Sequence, residues 1–225
     1  MFGADLHGPG HIRRHFLARL RAASEVRQPF RHWLLQTALP LETAAAIVDL
    51  PLRPVEIGDT GGKRDNHNDS RVFFAGSLLG EHAVCREVAA CFQHPETIAA
   101  LQKTTGAALE GSSLRIEYCQ DRGGFWLEPH TDIGAKCFTM LVYLSTAPGA
   151  AQWGTDIYDA ARHHAGRAPA GFDQGLIFVP ASDTWHGFEP RRIDGVRRSI
   201  IVNYVVPEWR ARHELAVPDQ PVMAA

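Results

Sequence analysis

The sequence predicts a mainly β domain flanked by α-helices: an antiparallel sandwich or barrel behind a helical N-terminal part. Three observations carry that expectation. From Ser112 onward the apolar residues recur with a period near two, in the runs SSLRIEYCQ, KCFTMLVYLS, QGLIFVP and RRSIIVNYVV, which alternate faces as strands do. Gly, Pro and Asp bound these runs and no helical pattern intervenes, which favours antiparallel pairing over βαβ units. Upstream of these runs the period is helical instead. At 225 residues, 45% hydrophobic and 21% charged, the chain can bury one sizeable core.

The elements follow in order. Ile12, Phe16, Leu17 and Leu20 repeat at helical spacing. In LPLETAAAIVDLPL, Pro40 suits a helix start and Pro51 forbids continuation. EHAVCREVAACF puts Val84, Val88, Cys91 and Phe92 on one face, and PETIAALQKTTG reads as a short helix ending near Gly106. Residues 58–74, GDTGGKRDNHNDSRVFF, form a Gly-, Asn- and Asp-rich loop, either a surface excursion or a flap over a substrate. RQPFRHW and AVPDQPVMAA read as a linker and a frayed tail. The expected organisation is a single domain: residues 1–110 a mostly helical support with a loop, 112–207 the β core, and 208–225 a tail.

The formal net charge of -2 gives no reason to expect a nucleic-acid or membrane partner. There is no long apolar run, and the polar, basic opening MFGADLHGPGHIRRHFLARLRAAS lacks a signal-peptide pattern. The expected location is cytoplasmic. Cys85, Cys91, Cys119 and Cys137 form no CxxC pair and are expected to pack as small apolar residues. His7, His11, His15, His163 and His164 lie in polar segments and are expected to be solvated.

The chemistry concentrates in EPHTDIGAKCFTMLVYLS. His130 and Asp132 lie two residues apart, so on extended backbone their side chains can converge on one metal ion. His186, in PASDTWHGFEP after the strand GLIFVP, is the candidate third ligand. Two histidines and a carboxylate on one face of an octahedron suit ferrous iron and leave three positions open. The plainer alternative is a hydrogen-bonded loop histidine and a turn-capping aspartate. In GVRRSIIVNYV, Arg197 and Ser199 share a strand face with Ile201 and Asn203, while Arg198 faces the other way. An inward guanidinium is costly without an anion, so Arg197 with Ser199 would suit a carboxylate. Arg198 takes that place if the register slips at a bulge. A surface salt bridge within the cluster of Arg191, Arg192, Arg197 and Arg198 is the other reading.

Residues 112–207 resemble the Fe(II)- and 2-oxoglutarate-dependent dioxygenases, through HTD, WHGFEP and RRS in that order. The resemblance implies a double-stranded β-helix, or jelly roll, with flanking helices. It implies iron on His130, Asp132 and His186, and 2-oxoglutarate on Arg197 and Ser199. Tyr143 and Tyr118 are further cosubstrate candidates, unless both are core residues. The resemblance also implies O2 as co-reactant, release of succinate and CO2, and hydroxylation of an unactivated C–H bond. Halogenating relatives carry Gly or Ala at the carboxylate position, so the intact Asp132 argues for hydroxylation. The expected substrate is a small-molecule metabolite or natural-product intermediate. A peptide side-chain hydroxylase would share the site, and a non-oxidative, cupin-like metal-binding jelly roll is the alternative from another class. Trp126, Arg122 and Arg71 are the candidate substrate contacts, and Glu128 and Trp185 stand beside the ligands. Of the Gly-Gly-acidic turn common in this family, AQWGTDIYD keeps only Gly154 and Asp156.

Overall fold

The β-prone runs pair into two antiparallel sheets, and the helices cover one face of the larger. The computed structural model describes residues 10–55, 61–63, 71–132 and 134–225. Most of the 58–74 loop, and His7, lie outside them. In chain order the elements are α1 (His11–Arg21), β1 (Ser24–Val26), β2 (His32–Leu35), α2 (Leu41–Val48), β3 (Val72–Phe73), α3 (Gly76–Glu81), α4 (Ala83–Gln93), α5 (Pro95–Thr105), β4 (Ser113–Asp121), β5 (Leu127–His130), β6 (Lys136–Tyr143), β7 (Asp156–Tyr158), β8 (His164–Arg167), β9 (Gln174–Phe178), β10 (His186–Phe188) and β11 (Arg197–Val205). The larger sheet runs β1-β2-β9-β6-β11-β4-β3 and the smaller β5-β10-β7-β8.

Alternation divides the larger sheet into two faces. Ile116 and Tyr118 on β4, Met140 and Val142 on β6, and Ile200, Val202 and Tyr204 on β11 join the helices in the main core. There Phe16 of α1 meets Phe92 of α4 edge-on at 4.9 Å, neither exposed, and truncating either ring to alanine should cost about 3–5 kcal/mol. The opposite face supplies Leu141, Tyr143, Leu176 and Phe178, which pack against Ile157 of the smaller sheet. Phe125, Trp153, Phe188 and Ile193 close a third cluster.

The helix boundaries follow local chemistry. Pro40 caps α2, which ends at Val48, before Pro51. Pro95 opens α5, with the His94 ring accepting from the Glu96 amide, and Gly106 closes it at φ 80°, a left-handed conformation that glycine adopts without strain.

Two expectations fail. RQPFRHW is not a linker: β2 pairs with β9 and with β1, extending the sheet, and Phe30 and Trp33 are buried. The four-residue strand HWLL is too short to display a period. The C-terminal segment is not frayed. Ala216 donates to Leu114, Val222 donates to Ser112, and Val222 accepts from Gly111, while Leu215 and Val222 are buried.

The pairing of β11 with β6 is regular from Ser199↔Tyr143 to Tyr204↔Phe138 and then shifts, so that Val205 faces Lys136. This β-bulge carries one extra residue, Cys137, on β6.

Candidate functional site

β5 and β10 pair with His130 directly opposite His186, so both imidazoles project to the same side with ring centres 4.3 Å apart. Each ring is oriented by a backbone carbonyl two residues upstream: Nδ1 of His130 lies 2.9 Å from Glu128 O, and Nδ1 of His186 lies 2.9 Å from Thr184 O. A carbonyl only accepts, so Nδ1 carries the proton and Nε2 presents its lone pair. Asp132, just past β5, brings Oδ1 to 3.9 Å from His130 Nε2 and Oδ2 to 3.7 Å from His186 Nε2. One ligand atom from each residue falls within 4.8 Å of the other two. Burial, reinforced by His130, lowers the His186 pKa to about 3, so the ring stays neutral and ligand-competent at neutral pH.

The triad opens into a small cavity that is partly open to solvent. Its apolar wall includes Phe125, Leu127, Leu141, Phe188 and Ile201. Its polar wall is a run of buried charge. Arg197, 6% exposed, donates from Nε to Trp153 O at 2.8 Å and from Nη1 to Asp121 Oδ2 at 2.6 Å, and its guanidinium lies over the Phe188 ring at 4.5 Å. Arg71 holds the other oxygen of Asp121 at 2.6 Å and lies 3.4 Å from Glu117. Burial works against the Arg71 charge, yet the neighbouring carboxylates outweigh it and raise the pKa. Arg115 links Glu117 to Glu214.

The predicted residues divide as follows. His130, Asp132, His186, Arg197 and Arg71 all line the cavity. Ser199 is fully buried on the Arg197 face, opposite Cys119 and Tyr143, and its hydroxyl has no partner among the described residues. Tyr143 shares that face, but its hydroxyl is taken by Thr155, donating at 2.8 Å and accepting from the Thr155 amide; Thr155 itself lines the cavity. Tyr118 is paired with Ile200 and packs in the helix-side core, which puts it on the wrong face for a cosubstrate contact, as is Arg198. Arg122 is exposed in the turn after β4, and the Trp126 ring packs on Gly62. Neither is part of the cavity wall, because this turn directs Phe125 inward in their place. Arg71 lines the cavity and is charge-paired there with Asp121 and Glu117. Trp185 points away, stacked on Arg162 at 4.2 Å.

Glu117, Asp121 and Lys136 were missed. Glu117, Cys119 and Asp121 sit at alternate positions of β4, a polar stripe visible in LRIEYCQD. Lys136 had no such signal. A second group of ligand-type residues, Asp156, His164 and Glu189, is a structural ion-pair hub: Asp156 is held by Arg167, Arg191 and the Glu189 amide. His11, His15 and His163 also make hydrogen bonds, and His163 and His164 are exposed, as expected.

No family model and no curated protein matches the chain by sequence. Solved structures do match. A collagen prolyl hydroxylase of Paramecium bursaria Chlorella virus-1, in its 2-oxoglutarate complex, aligns at TM-score 0.54 and 13% identity over 78% of this chain and 96% of its own. A Pseudomonas putida prolyl-4-hydroxylase aligns at 0.56 and 13%, over 87% and 94%. The fold is that of the 2-oxoglutarate oxygenases. The α-ketoglutarate-dependent non-haem epimerase SnoN of nogalamycin biosynthesis also aligns, at 0.50 and 18%, over 87% and 83%. Residues of both sheets line the cavity, and the His130, Asp132 and His186 side chains meet there. No helix among the described residues is long and apolar enough to cross a membrane.

Proposed function

We propose that the chain is an Fe(II)- and 2-oxoglutarate-dependent oxygenase that hydroxylates a C–H bond of a small molecule, and that its two sheets form a double-stranded β-helix. The observation that carries this reading is the convergence of His130, Asp132 and His186 at one end of a cavity that also contains Arg197. Two neutral imidazoles and a carboxylate are the donor set that suits ferrous iron with open positions. The buried, unpartnered hydroxyl of Ser199 beside Arg197 fits a dicarboxylate, since buried polar atoms otherwise find partners. When bound, iron and 2-oxoglutarate supply the activation of O2.

The chain's own residues do the rest. His130 and His186 hold the metal through Nε2, with their Nδ1–H groups anchored on backbone carbonyls. Arg197 binds the distal carboxylate of 2-oxoglutarate through Nη2, since Nε and Nη1 are engaged by Trp153 and Asp121, and Ser199 adds a hydroxyl donor. Phe125, Leu141, Phe188 and Ile201 exclude water from the reacting centre. The charges on the cavity wall, Arg71 and Arg197 with Asp121 and Glu117, cancel one another, which favours an uncharged or internally balanced substrate. A peptide hydroxylase is the second reading, favoured by the likeness to a Trichoplax adhaerens prolyl hydroxylase in complex with a hypoxia-inducible-factor peptide, at TM-score 0.56 and 13% identity.

Anaerobic visible absorption with Fe(II) tests the proposal. A charge-transfer band that requires 2-oxoglutarate, and that weakens in Asp132→Ala and Arg197→Ala, is expected. Its absence from iron-loaded protein would leave only a non-oxidative metal role. Succinate release with metabolite pools against peptide pools separates the two substrate classes.

A further inference from the structure

We infer that Lys136 is a positioning residue that holds Asp132 to one-oxygen coordination of the metal. This rests on the metal reading above and extends it to a residue outside the ligand triad. On β6 the inward positions are Thr139 and Leu141, which line the cavity, while Phe138, Met140 and Val142 pack in the helix-side core. Unbroken alternation would put Lys136 with the second set, its ammonium aimed into apolar core. The bulge prevents this. The extra residue Cys137 lets Lys136 pair with Val205 while Phe138 pairs with Tyr204, which turns the lysine onto the face shared by Val205, Asn203 and Ile201. Bulges re-aim side chains in this way.

Lys136 so turned is 7% exposed and lines the cavity, and its ammonium donates to Asp132 Oδ2 at 2.9 Å. Thr139 Oγ1 approaches the same oxygen at 3.4 Å. A buried ammonium needs an anion, and the one supplied here is a metal-ligand carboxylate. The charge-assisted bond to Oδ2 makes that oxygen the poorer ligand and favours coordination through Oδ1, on the side of His130. Partners of this kind orient ligands and tune a site. Without Lys136 the carboxylate is free to chelate through both oxygens, which would consume a position that cosubstrate or O2 needs.

The experiment counts those positions directly on the full chain loaded with Mn(II) alone, by water-proton relaxation, with affinity from electron paramagnetic resonance titration. In the wild type an octahedral ion on three protein atoms keeps about three waters. Lys136→Met is expected to lower the relaxation enhancement of the bound ion by about one third, from three waters to two. Lys136→Arg, which keeps a cationic donor, is expected to retain the wild-type value. Lys136→Ala serves if the methionine variant does not fold. A lysine that served folding alone would alter thermal unfolding without altering the water count. An unchanged count in the methionine or alanine variant overturns the inference while leaving the metal site standing. Failure of the wild type to bind Mn(II) at all overturns the metal reading and this inference with it.

Discussion

Replacing Asp121 with alanine gives the sharpest test of how the cavity wall is held. Its side chain is 1% exposed and bridges two guanidinium groups, Arg71 on Oδ1 and Arg197 on Oδ2, each at 2.6 Å. Those groups are themselves 9% and 7% exposed. Removing one member of a buried ionic set costs about 3–5 kcal/mol, because the remaining charge is uncompensated. Arg71 keeps Glu117 at 3.4 Å and Arg197 keeps the Trp153 carbonyl, so the low end, about 3 kcal/mol, is expected. For a chain of this size that corresponds to a fall in Tm of about 6–12 °C. Urea unfolding followed by circular dichroism measures the loss, with the slope checked against wild type so that a shift in midpoint reports stability. A dicarboxylate such as 2-oxoglutarate should recover part of the loss by meeting the two cations. A loss below about 1 kcal/mol would mean that the two arginines do not depend on Asp121, and the account of a charge-paired wall would be wrong.

Three further outcomes are expected. Asp173 is pushed up to about 7 by burial, against the pull of the Leu39 amide at 3.0 Å. Its folded pKa exceeds the unfolded 3.8, so its contribution is fully present below about pH 4 and is lost as pH rises through about 7. Asp173→Asn, which suits the positive φ of 61°, should therefore raise stability by about 2–4 kcal/mol at pH 8 and by nearly nothing at pH 4, read by chemical unfolding at both pH values. In Gly187→Ala the new Cβ would lie 2.7 Å from Leu127 O, forcing apart the strands that carry His130 and His186. Mn(II) affinity should fall about 10–100-fold by titration calorimetry, and a wild-type affinity would show that the strands separate without moving the ligands. Gly154→Ala would bring Cβ to 1.9 Å from Ala168 O, a clash with backbone that should prevent soluble expression or lower Tm by many degrees.

Much of this was legible in the sequence where elements are long. The nine residues of β4 and of β11 and the apolar faces of α1, α4 and α5 announce themselves by period, and the HTD spacing pointed to the meeting of His130 and Asp132. Length is also why the rest was hidden. β7 and β10 have three residues each, and β8 is HAGR, whose position is set by pairing rather than propensity. Tyr118 was misplaced because its face depends on the β4–β11 register, in which Cys119, not Tyr118, opposes Ser199. Lys136 was invisible because a bulge breaks the alternation by which inward residues are recognised.

The disparity in strand length has a kinetic consequence. β4 and β11 pair over nine consecutive residues of the seven-stranded sheet, with β6 beyond β11 and the short β3 beyond β4, whereas β5 and β10 share a brief, irregular ladder. Amide protons in the first pair should exchange only on global unfolding, while those of the histidine-bearing pair should exchange through cheap local openings. An ion bound by both His130 and His186 would fasten that weaker ladder across its width. Metal loading should therefore slow deuterium uptake at Leu127–His130 and His186–Phe188 far more than at β4, recording the ion's arrival as a local change in opening free energy.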